Sequence, residues 1–426
     1  MPSPRRSVLV MCDGLRRDLI TPEHCPHLTA LAARSRRYDN HRSIFPSVTR
    51  SSAASVATGC HPARHGLHGN TMGLPVADGH AIHNVGAPEF VASLRAATGR
   101  TLRVPTLAER LRSHGGAIVF SNVSPGGAYF HDPDGHGYVY HRAGSFGPGR
   151  VPLLAGDHLD VTHDAAGDSA MTERFCAEVL QARRPSLAVL WLCEPDHTQH
   201  DAALGSVEHL AAVRAADRCA GRVVETVDRL RAAGEDILLL VGSDHGHETI
   251  AQIVAVEREL HEAGLKRELD SPDVVVAPQG TSALIYFSAD ALPQVEAVAS
   301  FLRSRPWSGE VLVDAELSRI GMAAEGGLRI AVSMAKMPGQ NQYGVPGLSA
   351  TAVRFDVNPK KIGCGQHGGL GEQEQQPFLF ASGGDFAPGT RCDVPTAIVD
   401  IAPTVLQYLG IASGADRFDG APLPTK

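Results

Sequence analysis

Residues 236–247 read DILLLVGSDHGH: a short unbroken apolar run, then an Asp–His pair set between glycines. An unbroken run of this length suits a strand buried on both faces, as in a parallel sheet covered by helices. Asp244 and His245, placed just past such a run, are poorly explained by packing and point to chemistry. The same grammar recurs elsewhere. Ser7–Met11 (SVLVM) precedes Cys12, Asp13 and Gly14, and Leu187–Leu192 (LAVLWL) precedes Cys193, Glu194, Pro195 and Asp196. Ala117–Ser121 and Pro377–Ala381 complete the candidate strands. Helical spacing runs through Thr106–Ser113, Ser169–Ala182, Val207–Ala233 and Pro395–Leu409, where Pro403 should interrupt the helix or begin a new turn. The alternation predicts an α/β fold with a mostly parallel central sheet and helices on both faces.

From about Ile250 to Val357 the texture changes. Shorter strand-like runs (Val274–Ala277, Ala283–Phe287, Val311–Val313, Arg329–Ser333) surround a helix near Pro293–Arg303, the pattern of an α+β insertion. The expected organisation is a catalytic core of residues 1–255 and 358–426, with residues 256–357 as a cap over the sheet edge where open α/β folds bind ligands.

Composition narrows the function. The chain has 426 residues, 43% hydrophobic, with a formal charge of -7, so no global basic field attracts polymeric nucleic acid or anionic lipid. No apolar stretch is long enough to span a membrane, and the run after Arg5-Arg6 is too short for a secretion signal. Eight cysteines without CxxC spacing read as reduced thiols, and the expected setting is cytoplasmic. The 21 histidines make metal the first suspicion.

Each chemical cluster has a plain alternative. Asp13, beyond the first strand and before Gly14, could point into a cleft or cap a helix. In Phe45-Pro46-Ser47-Val48-Thr49-Arg50-Ser51-Ser52, hydroxyl residues run into a helix of small residues ending near Thr58-Gly59, whose N-terminus is a ready anion site. Thr49 there is either an N-cap or a nucleophile. Asp196 and His200 are four apart, sharing a helical face as a chelating pair or a surface ion pair. His367 lies in the Gly-rich run Gly365-Gln366-His367-Gly368-Gly369, and the loop His131–Gly137 with Arg142 reads as a surface turn or as a substrate grip. Three Asp, three His and one Thr hydroxyl at sheet edges match two divalent cations with mixed N/O ligands. Zn²⁺ suits such a set best, with Mn²⁺ second.

The blocks VLVMCDG, FPSVTRSSAASVATGCHPARHGLHGN, EPDHTQH, SDHGH, QHGGLGEQEQQPFLF and IVDIAPTVLQYLG, in this order, resemble the alkaline phosphatase superfamily. Within it the chain is similar to the nucleotide pyrophosphatase/phosphodiesterase and phosphonoacetate hydrolase branch. The resemblance implies that Asp13, Thr49, Asp244 and His245 hold one metal and that Asp196, His200 and His367 hold the other. It also implies Thr49 as nucleophile through a phospho-threonine intermediate, Asn70 binding a phosphoryl oxygen beside the Arg50 backbone N–H, and a cap between the Asp–His pair and the last His.

The chain departs from both relatives. Nucleotide-cleaving members carry an aromatic platform after the nucleophile, whereas this chain has Arg50, suited to an anion. Phosphonoacetate hydrolases share the HGGLxEQ run, echoed at Gly368–Gln373, but grip substrate with lysines where this chain has Ser121-Asn122-Val123-Ser124-Pro125-Gly126-Gly127. Arg50 or Arg142 would substitute. The expected activity is hydrolysis of a small anionic phosphodiester; the alternatives are phosphonoacetate-type C–P cleavage or a non-catalytic metal-binding partner or sensor. A homodimer is left open. The nucleophile region lacks the Cys/Ser-x-Pro-x-Arg run of sulfatases.

Overall fold

The structure, a computed structural model, describes residues 4–356, 361–412 and 417–426. The expected junction between inserted segment and core, at 357/358, lies outside the described residues, as do the first three residues of the N-terminal reading.

Eight strands form the central sheet: β1 (Arg6–Cys12), β2 (Arg36–Tyr38), β3 (Ala117–Ser121), β4 (Tyr138–Tyr140), β5 (Leu187–Leu192), β6 (Ile237–Gly242), β7 (Leu379–Ser382) and β8 (Arg391–Cys392). Their order is β8-β2-β7-β6-β1-β5-β3-β4. All pairings are parallel except those of β7, which runs antiparallel to β2 and β6. The five expected strands are present. The edge strands β4 and β8, and β2 beside β8, have two or three residues each, too few for a periodic signal.

β1 shows why both faces are covered. Its side chains alternate, so Leu9 and Met11 enter one apolar cluster while Val8, Val10 and Cys12 enter the other. The first cluster includes Ala53, Ala54 and Val56 of α2 (Thr49–Thr58) and Ile401, Val405 and Leu406 of α6 (Ile401–Leu409). The second includes Leu28 and Leu31 of α1 (Pro26–Ala33), Met171 of α3 (Ala165–Arg174), and Val213, Ala220 and Val227 of α5 (Val207–Ala232). Ser206 caps α5, its hydroxyl accepting the His209 N–H at 3.2 Å. Pro403 sits in the first turn of α6, where its missing N–H costs nothing.

Register brings the chemistry to one edge. Met11 of β1 lies opposite both Trp191 of β5 and Gly242 of β6, so the three central strands end level. Asp13, the Cys193–Asp196 turn and Asp244 therefore leave the sheet side by side.

In the inserted segment, Val274–Pro278, Ser282–Phe287, Leu328–Met334 and Ser308–Val313 form an antiparallel sheet. The helix Val295–Arg303 packs on it through Val298, Ala299 and Leu302, giving this segment its own apolar cluster. A further sheet joins Lys336–Gln340, Pro346–Ala352, Glu248–Val254 and Gly365–Gln366. Sequence patterning predicts no strand at Lys336–Gln340 or Pro346–Ala352, because Gly, Pro, Ser and Thr there give little apolar alternation.

Candidate active site

Asp13 follows β1 directly, and its carboxylate caps no helix. Oδ2 accepts the Trp191 indole N–H at 2.8 Å, and Oδ1 lies 3.4 Å from Thr49 Oγ1. Gly14 then turns at φ +63°, where a Cβ would come within 2.6 Å of His247 Cε1. Its N–H donates to Asp244 Oδ1 at 3.2 Å, tying the ends of β1 and β6 together.

Thr49 is the first residue of α2, and the cap position belongs to Val48. The N-cap reading of Thr49 therefore fails. Its hydroxyl instead sits 3.4 Å from Asp13 Oδ1 and 3.3 Å from His245 Nε2. His245 Nε2 is also 3.2 Å from Asp244 Oδ2 and 3.5 Å from Asp13 Oδ1. Asp13, Thr49, Asp244 and His245 thus surround one point at the helix N-terminus, where the dipole favours negative charge.

Asp196 opens α4 (Asp196–Gln199), hung from the loop after β5. Its Oδ2 is 3.5 Å from His200 Nε2, and its Oδ1 is 3.4 Å from His367 Nε2 and 3.1 Å from His247 Nε2. The Asp196–His200 pair faces this cluster rather than open solvent. Asp168 of α3 anchors the loop: its carboxylate accepts the N–H groups of Cys193 (3.1 Å) and Glu194 (3.0 Å) and the Asn122 amide (3.0 Å).

Two groups of donors have atoms within 4.8 Å of one another: Asp196, His200, His247 and His367; and Asp13, Asp196 and His245. Their electrostatics suit divalent cations. Burial pushes the Asp244 carboxyl up to about 8 and Asp13 well above the usual carboxylate range, with repulsion from Asp244 and Asp196 adding to the latter. Burial pushes His245 down to about 3 and, with His245 beside it, His367 well below the ordinary imidazole value. Burial opposes ionisation of Asp196 too, but the facing His200, His247 and His367 outweigh it and hold the group well below its usual range. Carboxyls that resist ionisation beside imidazoles that resist protonation share one remedy, a metal cation. Among the described residues, Asp244 Oδ2, Asp196 Oδ1 and His247 Nε2 are buried without hydrogen bonds, as such a fit requires.

A cavity of about 330 Å³ opens over these groups, with Thr49, Arg50, Asn70, Ser124 and Gln279 in its wall. Asn70 Oδ1 accepts the Arg50 backbone N–H at 3.2 Å, and among the described residues no hydrogen bond occupies the Asn70 Nδ2 donor, which is left for a ligand. Gln279, from the inserted sheet, receives the Asn70 N–H on Oε1 at 2.7 Å and so fixes that turn. The Arg50 guanidinium is held by Ser124 Oγ (Nε, 3.0 Å) and the Asn70 carbonyl (Nη1, 2.7 Å). Burial lowers its pKa to about 10, so it stays charged at neutral pH. Among the described residues, no carboxylate pairs with it.

Other expectations resolve differently. Arg142 turns its guanidinium onto the carbonyls of Asn122 (2.6 Å) and Val123 (2.7 Å) and does not line the cavity. The His131–Gly137 loop closes on Asp132, which accepts the His136 and Gly137 N–H groups. His131 and Asp132 are buried, so this is a packed turn rather than a surface one. His247 and Gln279 are not among the expected site residues. His247 was visible in the DHGH run, two residues from His245; Gln279 had no local signal because its partner is about 200 residues away.

The chain matches the family model for type I phosphodiesterase/nucleotide pyrophosphatase over residues 7–306. No curated protein matches it in sequence. Among solved structures it is similar to murine ectonucleotide pyrophosphatase/phosphodiesterase 5, with TM-score 0.69 and 16% identity, covering 98% of this chain and 97% of that one. An inactive threonine-to-alanine form of that murine protein in complex with AMP gives TM-score 0.70 and 16% identity over the same shares. The family is metal-dependent, and the two donor groups could hold such ions. The chain belongs to the type I phosphodiesterase/nucleotide pyrophosphatase family of the alkaline phosphatase superfamily, and it is a phosphoric ester hydrolase of that type.

Proposed function

We propose that the protein hydrolyses small anionic phosphodiesters through a phospho-threonine at Thr49. Two divalent cations, Zn²⁺ before Mn²⁺, would be held by Asp13, Thr49, Asp244 and His245 and by Asp196, His200 and His367. The observation that carries the reading is the Thr49 hydroxyl, free of any capping role and 3.4 Å and 3.3 Å from Asp13 and His245. When bound, the cations would supply Lewis acidity and charge neutralisation at the reacting phosphorus.

The chain's own groups do the rest. Thr49 Oγ attacks phosphorus in line, its hydroxyl proton passing to solvent, and the Oγ–P bond forms as the bond to the leaving oxygen breaks with its electron pair, which solvent protonates. Asn70 Nδ2 and the α2 N-terminus stabilise the equatorial oxygens. Water then cleaves the Oγ–P bond, returning the proton to Thr49 and releasing the phosphoryl product.

One observation favours a second reading. The Arg50 guanidinium rests on Ser124, within the loop where the similar phosphonoacetate hydrolases carry their lysines. A carboxylate-bearing phosphonate would meet that cation, and P–C cleavage would place the electron pair on carbon for protonation by solvent. The eight cysteines are buried and no disulfide joins them among the described residues, which supports a reducing, cytoplasmic setting.

The test sets zinc-loaded wild type beside Thr49→Ala on a nitrophenyl phosphodiester, a phosphomonoester and phosphonoacetate. Faster diester cleavage, lost in the variant, supports the first reading. Selective phosphonoacetate cleavage supports the second. Metal binding without turnover of any substrate would leave a sensor.

A further inference from the structure

We propose that His247 is a fourth protein ligand to the cation held by Asp196, His200 and His367, making that half of the centre a three-imidazole, one-carboxylate site. The inference rests on the two-cation reading above and extends it to a residue no part of that reading uses.

The argument begins with hydrogen-bond accounting. A neutral imidazole has one N–H and one lone pair. His247 is fully buried, with the Gly14 carbonyl 3.3 Å from Nδ1 and Asp196 Oδ1 3.1 Å from Nε2. Both neighbours are acceptors, so one nitrogen always faces oxygen with a lone pair. His245 and His367 settle the choice by example. Each sets Nδ1 against a backbone carbonyl, Gly246 at 3.1 Å and Ser47 at 2.8 Å, and turns Nε2 into the site. Metal-bound histidines are oriented in this way, the outer N–H on a carbonyl and the inner lone pair on the ion. His247 follows the same pattern, and its Nε2 makes no hydrogen bond among the described residues.

Spacing agrees. Donors 2.0–2.1 Å from a tetrahedral zinc ion are separated by about 3.3 Å. Asp196 lies 3.1 Å from His247, 3.4 Å from His367 and 3.5 Å from His200, measured between donor atoms. The backbone is shaped to admit the ring. A Cβ on Gly14 would approach Cε1 to 2.6 Å, and one on Gly365 would lie 3.0 Å from Cδ2. Three nitrogens and one oxygen select Zn²⁺ or Co²⁺ over Mg²⁺ or Ca²⁺, whereas the Asp13 half stays rich in oxygen.

Two measurements test this. In zinc-loaded crystals, anomalous density should place one ion about 2.0–2.2 Å from His247 Nε2; an ion bound to Asp196, His200 and His367 but beyond about 3 Å from that atom would overturn the proposal. In solution, chelator competition should show two ions per wild-type chain. His247→Gln should keep one at wild-type affinity and hold the other on the order of 100-fold more weakly, with an altered Co²⁺ d–d spectrum. Unchanged affinity and spectrum in His247→Gln, alongside loss of an ion in Asp196→Asn, would remove His247 and leave the two-cation centre standing. A wild-type chain that binds no second ion would remove both.

Discussion

At the scale of single residues, the site separates groups that make bonds from groups that choose the ligand. Thr49→Ala should lower kcat by more than about 1,000-fold without moving the thermal midpoint, since the hydroxyl caps nothing. A modest drop, with metal content intact, would mean another nucleophile. Arg50 is different: a half-buried cation held by two neutral oxygens has charge to spare for a substrate anion. Arg50→Ala should raise KM about 10- to 100-fold with a smaller change in kcat, the loss of a charge-assisted hydrogen bond. Equal losses in both parameters for every substrate would instead make Arg50 a support for Asn70. Gly14 shows how little freedom the backbone has. At φ +63°, an alanine costs about 1–2 kcal/mol and drives its methyl into His247. Gly14→Ala should therefore melt earlier and bind less metal, measured together by calorimetry and metal analysis.

At the scale of elements, strand ends and helix starts do the positioning. The loop after β5 carries Asp196 and is fixed from outside the site by Asp168, which takes two backbone N–H groups and one side-chain amide. Removing the carboxylate strands three buried donors, at about 1–3 kcal/mol each. Asp168→Ala should cost at least about 3 kcal/mol in urea unfolding and weaken cation binding, while Asp168→Asn, which keeps an acceptor, should lose less. Wild-type cation affinity in a folded Asp168→Ala chain would show that the loop holds its shape unaided. The inserted sheet contributes in the same manner. Gln279 reaches across to the Asn70 turn, and Gly280 packs so closely on the His367 carbonyl that a Cβ would lie at 2.2 Å. An element remote in sequence thereby sets the wall of the cavity.

For the whole molecule, histidine burial adds a response to acid that is opposed by the buried carboxyls. Away from the donor groups, burial lowers His41 to about 3, His131 to about 4, His141 to about 4 and His209 to about 3. The unfolded chain protonates its histidines near 6.5, so between about 6.5 and 4 it binds more protons than the native state. The histidine contribution to stability therefore falls as pH drops through that window and is full above it, by about 1.4 kcal/mol per such residue at pH 5.5. The raised Asp13 and Asp244 carboxyls act in the opposite sense, so the test compares variants: chelator-treated His131→Phe should lose less stability between pH 7.5 and pH 5.5 than wild type, read from urea midpoints. An unchanged pH dependence would show that the His131 ring takes up its proton in the fold.

Much of this molecule is legible in its sequence. Apolar runs such as LAVLWL and ILLLVG are local and unambiguous, because a strand buried on both faces needs every residue apolar. Asp13, Asp196, Asp244 and His245 follow those runs directly, so the strand ends that carry them also place them on one edge. What no local pattern contained was pairing at a distance. The level ends of β1, β5 and β6 come from register, Gln279 meets Asn70 through the packing of a separate sheet, and Arg50 meets Ser124 across the cleft. The orientation of His247 is of the same kind, since it depends on which acceptors the folded chain sets on either side of the ring. Residue types and their order in the chain specify which groups are available; contacts between distant segments specify which of them meet.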